Sequence, residues 1–217
     1  MTQSEENYLK IIYHLSLVSD FEIATNAIAE KMQTKASSVT DMLKKLAEKQ
    51  LVTYQKYQGV LLTEKGVFTA KMIVRKHRLW EVFLVDKLNF SWDEVHEIAE
   101  ELEHIKSDKL IDKLDEFLEF PSDDPHGDPI PDKNGKIVKV EKQLLSDLEI
   151  NKKAICVGVK DSSSEFLQYL SKQKIALGSK ITVLEKETFD NSMCIEIKKT
   201  KMSISSKIAN SIFIKKV

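Results

Sequence analysis

Along the first third of the chain the apolar residues fall three and four apart. Tyr8, Leu9, Ile11, Ile12, Leu15 and Leu17 form one stripe, which predicts a helix over residues 5–17 opened by Ser4. A polar bend precedes Thr25-Asn26-Ala27-Ile28-Ala29-Glu30-Lys31-Met32, a second helix whose small residues allow close packing. Gln33-Thr34-Lys35-Ala36 breaks the pattern. Ser37 or Ser38 is expected to cap a third helix over 39–50, with Val39, Met42, Leu43, Leu46 and Ala47 inward and Thr40, Asp41, Lys44, Lys45 and Glu48 outward. Two short helices across a tight turn make a helix-turn-helix pattern. Apolar runs at 51–54 and 60–63 then flank a turn ending at Gly59, which predicts a hairpin, the wing.

Thr63-Glu64-Lys65-Gly66 opens a long helix to about Leu88, Ser91 with Asp93 and Glu94 opens another, and Ser107-Asp108 opens a further one through Phe120. Residues 121–135 hold all four prolines of the chain and two glycines, so an ordered turn and then a linker follow. Beyond Glu149 the period shortens. Segments 154–159, 180–184, 194–197 and 211–214 read as short strands, and Ser162-Ser163-Ser164 caps an intervening helix bearing Phe166, Leu167 and Leu170. The expected fold is mostly α with a small β domain: a winged helix-turn-helix over 1–73, a helical segment with a Pro-rich loop over 74–140, and an SH3-like β-barrel domain over 148–217.

Composition changes this picture in the middle. The net charge of −1 conceals a division: 1–73 carry nine Lys against eight acids, 74–140 ten Lys or Arg against seventeen acids, and 141–217 fourteen Lys against nine acids. The acidic middle third also holds four of the five histidines, His77, His96, His104 and His126, and such mixtures suit a cation better than a nucleic acid. Cys156 and Cys194 form no CxxC pair, so neither a disulfide framework nor a thiolate zinc site is indicated. No apolar run reaches membrane-spanning length and the first residues are polar, which points to a soluble cytoplasmic protein.

The richest segment is His96-Glu97-Ile98-Ala99-Glu100-Glu101-Leu102-Glu103-His104, because positions 96, 100, 103 and 104 share one helical face. On the preceding helix His77 and Glu81 are four apart, so each helix can offer an imidazole and a carboxylate. Nitrogen and oxygen donors without a thiolate favour manganese or another borderline-to-hard divalent ion over structural zinc. The plain alternative is a solvated helix face rich in Glu and Lys. Hydrolase chemistry finds little support: Glu100 stands where HExxH needs its second histidine, and only Glu101/His104 matches the paired Glu-x-x-His of a di-iron bundle. For the helix-turn-helix, Thr34, Lys35, Ser37, Ser38 and Thr40 lie near the N-terminal end of the reader helix, where base edges are reached, while Lys44, Lys45, Lys56 and Tyr57 would meet phosphates. A three-helix scaffold without DNA would look similar, and the +1 net charge of 1–73 adds little field.

Several of these marks occur together in a known family. Glu6-Asn7-Tyr8-Leu9-Lys10, Ser37-Ser38-Val39-Thr40, Arg75-Lys76-His77-Arg78-Leu79 with Glu81, the 96–104 segment followed by Ser107-Asp108, and Asp124-Pro125-His126-Gly127 make the chain resemble the diphtheria-toxin-repressor family (DtxR/MntR), its manganese-responsive branch most closely. The resemblance covers essentially the whole chain and makes its last part similar to the family's SH3-like, ferrous-transport-A-type (FeoA) domain. It implies a homodimer that binds double-stranded operator DNA and represses metal-uptake genes, with Mn²⁺ or Fe²⁺ as cofactor and no small-molecule substrate. It also implies a primary site from Asn7, Glu100, Glu103 and His104, a neighbouring site from His77, Glu81 and His96, and a second site drawing on Glu81, Asp124, His126 and Asp161, with Glu165 as a further candidate.

Three positions depart from the family. Asn7 stands where the manganese branch has aspartate and the iron branch methionine, so it offers only a neutral carbonyl oxygen. Lys10 stands where some two-domain manganese regulators have glutamate, which speaks against a close two-manganese cluster. Glu100 replaces the cysteine of the iron branch and tilts the choice towards manganese. The expected mechanism is that crowded carboxylates repel without metal, leaving helix one free to shift, and that a dication ties it to the sensor helices. The alternatives are an iron-responsive repressor of the same family and a metal-binding enzyme in which the helix-turn-helix is scaffold.

Overall fold

The computed structural model describes residues 1–19, 21–55, 58–138 and 141–216, in two compact units. Unit one comprises Met1–Trp80, Glu100–Leu114 and Pro131–Ile137; unit two comprises Glu81–Ala99, Asp115–Ile130 and Val138–Val217.

In unit one, α1 (Gln3–Ser16) starts earlier than Ser4 because Thr2 and Glu5 have capping-box spacing: the Glu5 N–H donates to Thr2 Oγ1 and the Thr2 N–H donates to Glu5 Oε2. α2 (Thr25–Lys31) and α3 (Ala36–Glu48) follow, joined by a tight turn in which Gln33 takes φ 50°. Neither Ser37 nor Ser38 caps α3. Its N-cap is Lys35, in extended backbone with no side-chain cap bond, so both serines fall inside the first turn. The wing pairs β1 (Val52–Gln55) antiparallel with β2 (Gly59–Leu62), and Ile23 bridges to Val60 beside it. Leu9, Ile12, Ile28, Val39, Leu43 and Leu46 are fully buried together, so α1 and the reader helix α3 share one core.

The long helix α4 (Glu64–Leu88) and the shorter α5 (Val95–Leu102) contribute residues to both units. Helix α6 (Asp108–Phe117) opens with Ser107 Oγ accepting from the Leu110 N–H. It ends before Phe120 because Glu119 and Phe120 both take left-handed backbone, φ 61° and 57°, and the Phe120 N–H returns to the Asp115 carbonyl.

Unit two is built on a six-stranded antiparallel sheet, with strand order β3-β8-β4-β5-β6-β7. Its strands are β3 (Gln143–Leu144), β4 (Lys153–Val159), β5 (Lys180–Lys186), β6 (Met193–Ile197), β7 (Thr200–Ile204) and β8 (Ile212–Lys216), with α7 (Ser164–Lys172) after β4 and a short α8 (Ser206–Ala209) before β8. Strands β3 and β7 and helix α8 were not expected. Edge strand β7 buries only Ile204 fully and so lacks an apolar alternation, and its hairpin turn places Lys198 and Lys199 at φ 48° and 69° without the Asn-Gly that usually marks such a turn. Leu145, Leu148, Cys156, Leu167, Leu170, Ile181 and Ile195 fill the core.

The Pro-rich segment is an ordered turn. Asp124 Oδ1 accepts from the backbone N–H groups of His126 and Asp128, and the Val159 N–H donates to the His126 carbonyl. Gly127, at φ +81°, lies so close to β4 that a Cβ would come within 2.0 Å of the Val157 carbonyl oxygen. Gly127→Ala is therefore expected to destabilise the protein by about 3 kcal/mol or more in urea unfolding, combining left-handed strain with overlap. Gly178→Ala, at φ +77° with nothing within 4 Å, should cost only about 1 kcal/mol.

Candidate metal centre

In unit one a carboxylate sits with no water contact. Glu103 is 0% exposed, and a bare charge there would be costly. Three neighbours meet it. Lys10 Nζ donates to both of its oxygens, at 2.7 and 2.8 Å, and His77 directs Nδ1 at Oε2 from 2.7 Å. Lys10 also reaches Glu100 Oε1 at 3.2 Å. His104 points Nδ1 at Glu6 Oε2, 2.6 Å away, with Nε2 4.0 Å from Glu103 Oε1. Burial is the largest influence on Glu103 and pushes its pKa up. The His77 hydrogen bond and the Lys10 charge outweigh burial and leave the carboxyl below its usual range.

Of the residues expected at this site, Glu100, Glu103, His104 and His77 are drawn together through these contacts, while Asn7 is half-buried and makes none of them. The residues of α1 that reach the cluster are Glu6 and Lys10. In the sequence Glu6 falls only within the 6–10 segment of the family resemblance and not among its implied ligands, and Lys10 falls there and among the departures. Both are buried, on the same face as buried Leu9 and Tyr13, and charges on an apolar stripe are the signal that could have found them.

In unit two, Glu81, Asp124 and His126 are buried, and each offers a ligand atom within 4.8 Å of the others. His126 is held at both ends: Nε2–H donates to the Trp92 carbonyl at 2.8 Å, and Nδ1 lies 3.6 Å from Glu81 Oε2. The Trp92 ring stacks on it at 18°. Donation of one imidazole N–H to a backbone carbonyl aims the other nitrogen at a cation and fixes its tautomer, as in histidine metal ligands. His96 Nδ1 lies 3.4 Å from Glu81 Oε1, and His77 is one helical turn before Glu81 on α4. Asp161 instead accepts from the Ser163 N–H at 2.9 Å, which lowers its pKa, and neither it nor exposed Glu165 joins the buried three. Trp92 orients the histidine through its main chain, a role for which residue type gives no signal. Two carboxylates and one imidazole, buried and without sulfur, fit a divalent ion of borderline-to-hard character.

At the reader helix, Thr34, Lys35, Ser37, Ser38, Lys44 and Lys45 are exposed and Thr40 is half-buried, its hydroxyl donating to the Ala36 carbonyl. Lys56 and Tyr57 lie outside the described residues.

Burial, the largest influence on His126, lowers its pKa, but Glu81, Asp124 and the Trp92 carbonyl more than reverse this and raise it to about 9. A raised histidine stabilises the fold fully below its unfolded value, about 6.5, and loses that contribution as pH climbs through the folded value. Metal-free protein should therefore lose on the order of 2–3 kcal/mol between about pH 6.5 and 9 in urea unfolding. His126→Gln should flatten that profile, and a wild-type stability flat over this window would contradict the assignment.

Comparison with known proteins agrees with the fold. Residues 1–60 match the family model of the iron dependent repressor N-terminal DNA binding domain, 63–132 that of its metal binding and dimerisation domain, and 143–216 the FeoA domain. An uncharacterised HTH-type transcriptional regulator of Methanocaldococcus jannaschii is 40% identical over 119 residues, covering 55% of this chain and 95% of the relative. The HTH-type transcriptional regulator MntR of Oceanobacillus iheyensis is 35% identical over 123 residues, covering 57% and 82%. A solved manganese-dependent transcriptional repressor in complex with manganese superposes with a TM-score of 0.84 at 33% identity, over 98% of this chain and 100% of that one. Matched along nearly its whole length, the chain belongs to the diphtheria-toxin-repressor and manganese-transport-regulator (DtxR/MntR) family of metal-dependent transcriptional repressors.

Proposed function

We propose that this protein is a manganese-activated, cytoplasmic repressor of metal-uptake genes that binds operator DNA as a homodimer. In this reading residues 1–73 read DNA, 74–140 sense metal and dimerise, and 148–217 form the FeoA-type domain. Among the described residues no helix is long and apolar enough to cross a membrane. The observation that carries the reading is the buried Glu81–Asp124–His126 set, with His126 aimed by the Trp92 carbonyl. The oxygen-rich donors favour manganese. Among the described residues neither cysteine joins this set, and burial in the core pushes the Cys156 thiol up to about 11, so it stays protonated and serves packing. Ferrous iron remains the second reading, since carboxylates and imidazoles also suit it and two of the matching family models are described as iron dependent.

In this proposal Glu81, Asp124 and His126 hold one ion with His96 close by, and Glu100, Glu103 and His104 take part in a second with His77 beside Glu103. A bound dication supplies the positive charge that lets buried carboxylates remain ionised side by side. The remaining steps belong to the protein. Glu6 and Lys10 fasten α1 to residues 100–104, and α1 packs in the same core as α3, so the state of the cluster bears on the reader helix. Lys44 and Lys45 meet phosphates, while Thr34, Lys35, Ser37, Ser38 and Thr40 lie at the end of the helix from which base edges are reached. Metal and operator then tighten one another's binding by the same factor.

Fluorescence anisotropy with a duplex selected from a random pool tests this. Mn²⁺ should tighten DNA binding at least about tenfold, a coupling of about 1.4 kcal/mol, and Asp124→Asn should abolish most of that gain. Equal affinity with and without Mn²⁺, Fe²⁺ or Zn²⁺ would remove the regulatory reading. Replacing Lys44 and Lys45 together by Ala should weaken binding across sequences and reduce the salt slope by about 2.

A further inference from the structure

The chain itself places a cation among the carboxylates of unit one. Lys10 Nζ lies 2.7 and 2.8 Å from the two oxygens of Glu103 and 3.2 Å from Glu100 Oε1. An ammonium has three N–H donors, and three carboxylate oxygens surround this one. Its side chain is 10% exposed and that of Glu103 0%, so the pair is withdrawn from solvent. The point that faces Glu100 and both oxygens of Glu103 is the point from which a divalent ion would bridge them, since such ions bind carboxylate oxygens at roughly 2.0–2.6 Å. The Glu100 side chain is half exposed, so the space opens to solvent on that side, and two cations held this close around the buried Glu103 repel.

We propose that Lys10 is a tethered counter-cation, which gathers Glu100 and Glu103 when no metal is bound and which a dication must displace to reach them. This rests on the assignment of Glu100, Glu103 and His104 as ligands made above. It replaces the expectation that the carboxylates repel and release α1 without metal, because Lys10 and His77 already compensate Glu103. The flexible four-carbon stem of lysine lets the ammonium leave while α1 keeps its packing through Leu9 and Ile12. The consequence is a raised threshold: the site fills at a higher free-metal concentration than the same ligands would without the lysine.

Calorimetric titration of the full chain with MnCl₂, in an Asp124→Asn background that weakens the set in unit two, tests the proposal. Lys10→Met should bind Mn²⁺ at this site at least about tenfold more tightly than the protein with Lys10, at the same stoichiometry. Its metal-free melting temperature should be lower, because Glu103 loses its counter-charge, and the rise on adding Mn²⁺ should be larger. Lys10→Gln, which keeps two N–H donors but no charge, should shift both readouts the same way and serves if the methionine variant does not fold. Unchanged or weaker Mn²⁺ binding in these variants would overturn the proposal. Adding Glu103→Gln separates the two ideas. If it leaves the tightened binding intact, the ligand assignment is wrong. If it abolishes Mn²⁺ binding at a site that Lys10→Met had not tightened, only the competition is wrong.

Discussion

A carboxylate removed from water must be matched by positive charge, and the interior of this protein contains several. Glu103 and Glu81 are 0% and 2% exposed, and Glu6 and Asp124 scarcely more. Desolvating each ion costs several kcal/mol, which an attraction recovers only where the geometry is close and the remaining lone pairs are satisfied. The contacts have that quality: Glu103 accepts two bonds from one ammonium and faces an imidazole, and Asp124 accepts two backbone N–H groups from its own turn. The fold around these groups can be understood as what is needed to hold the matching charges in place.

That requirement explains features that packing alone leaves arbitrary. The Pro-rich turn lies against β4 with room for only a glycine at 127, and the neighbouring residue is thereby fixed so that its ring meets the Trp92 carbonyl on one side and Glu81 on the other. A histidine on a mobile loop would reach the same acid only at the entropic cost of ordering that loop. In unit one, the Thr2–Glu5 box sets where α1 begins, and Lys49, just beyond α3, donates to both Glu5 oxygens at 2.7 Å. The helix that bears Glu6 and Lys10 is thus anchored to the reader helix at its first turn as well as through their shared core.

The hydrophobic pattern made the architecture legible because α1, α3 and α4 carry long apolar stripes and the strands of unit two carry β-branched runs. It failed where pattern was absent. Strand β7 has one fully buried residue, its turn uses two lysines in a backbone that sequence statistics assign to Asn and Gly, and α3 starts at a lysine that offers no capping side chain. The acid–imidazole spacings at 77/81 and 96–104 pointed to helices whose acids and imidazoles the structure brings together, and the family resemblance supplied the turn at 124–126. Neither route selected Glu6 over Asn7. These neighbours differ by about 100° around α1, and which of them faces Glu103 and His104 depends on the helix's rotation against residues distant in the chain.

The two units compensate buried acid with different monocations, and the difference has consequences for sensing. In unit two the compensating charge is a proton on His126, held to about pH 9 by Glu81 and Asp124. A proton equilibrates with solvent, so in the proposed reading the metal affinity of that set would vary with pH as the imidazole is vacated. In unit one Glu103 is compensated by His77 together with Lys10, and the covalent stem of Lys10 keeps its ammonium at a high local concentration whatever the medium. On the proposed assignment, displacing it would depend on the ion's charge and on the three carboxylate oxygens around it, which would reward a dication and give monovalent ions no advantage over the ammonium already there. In the proposed reading such a chain would discriminate by charge at one cluster and by donor type at the other, and neither device demands that the metal-free protein tolerate a bare buried carboxylate.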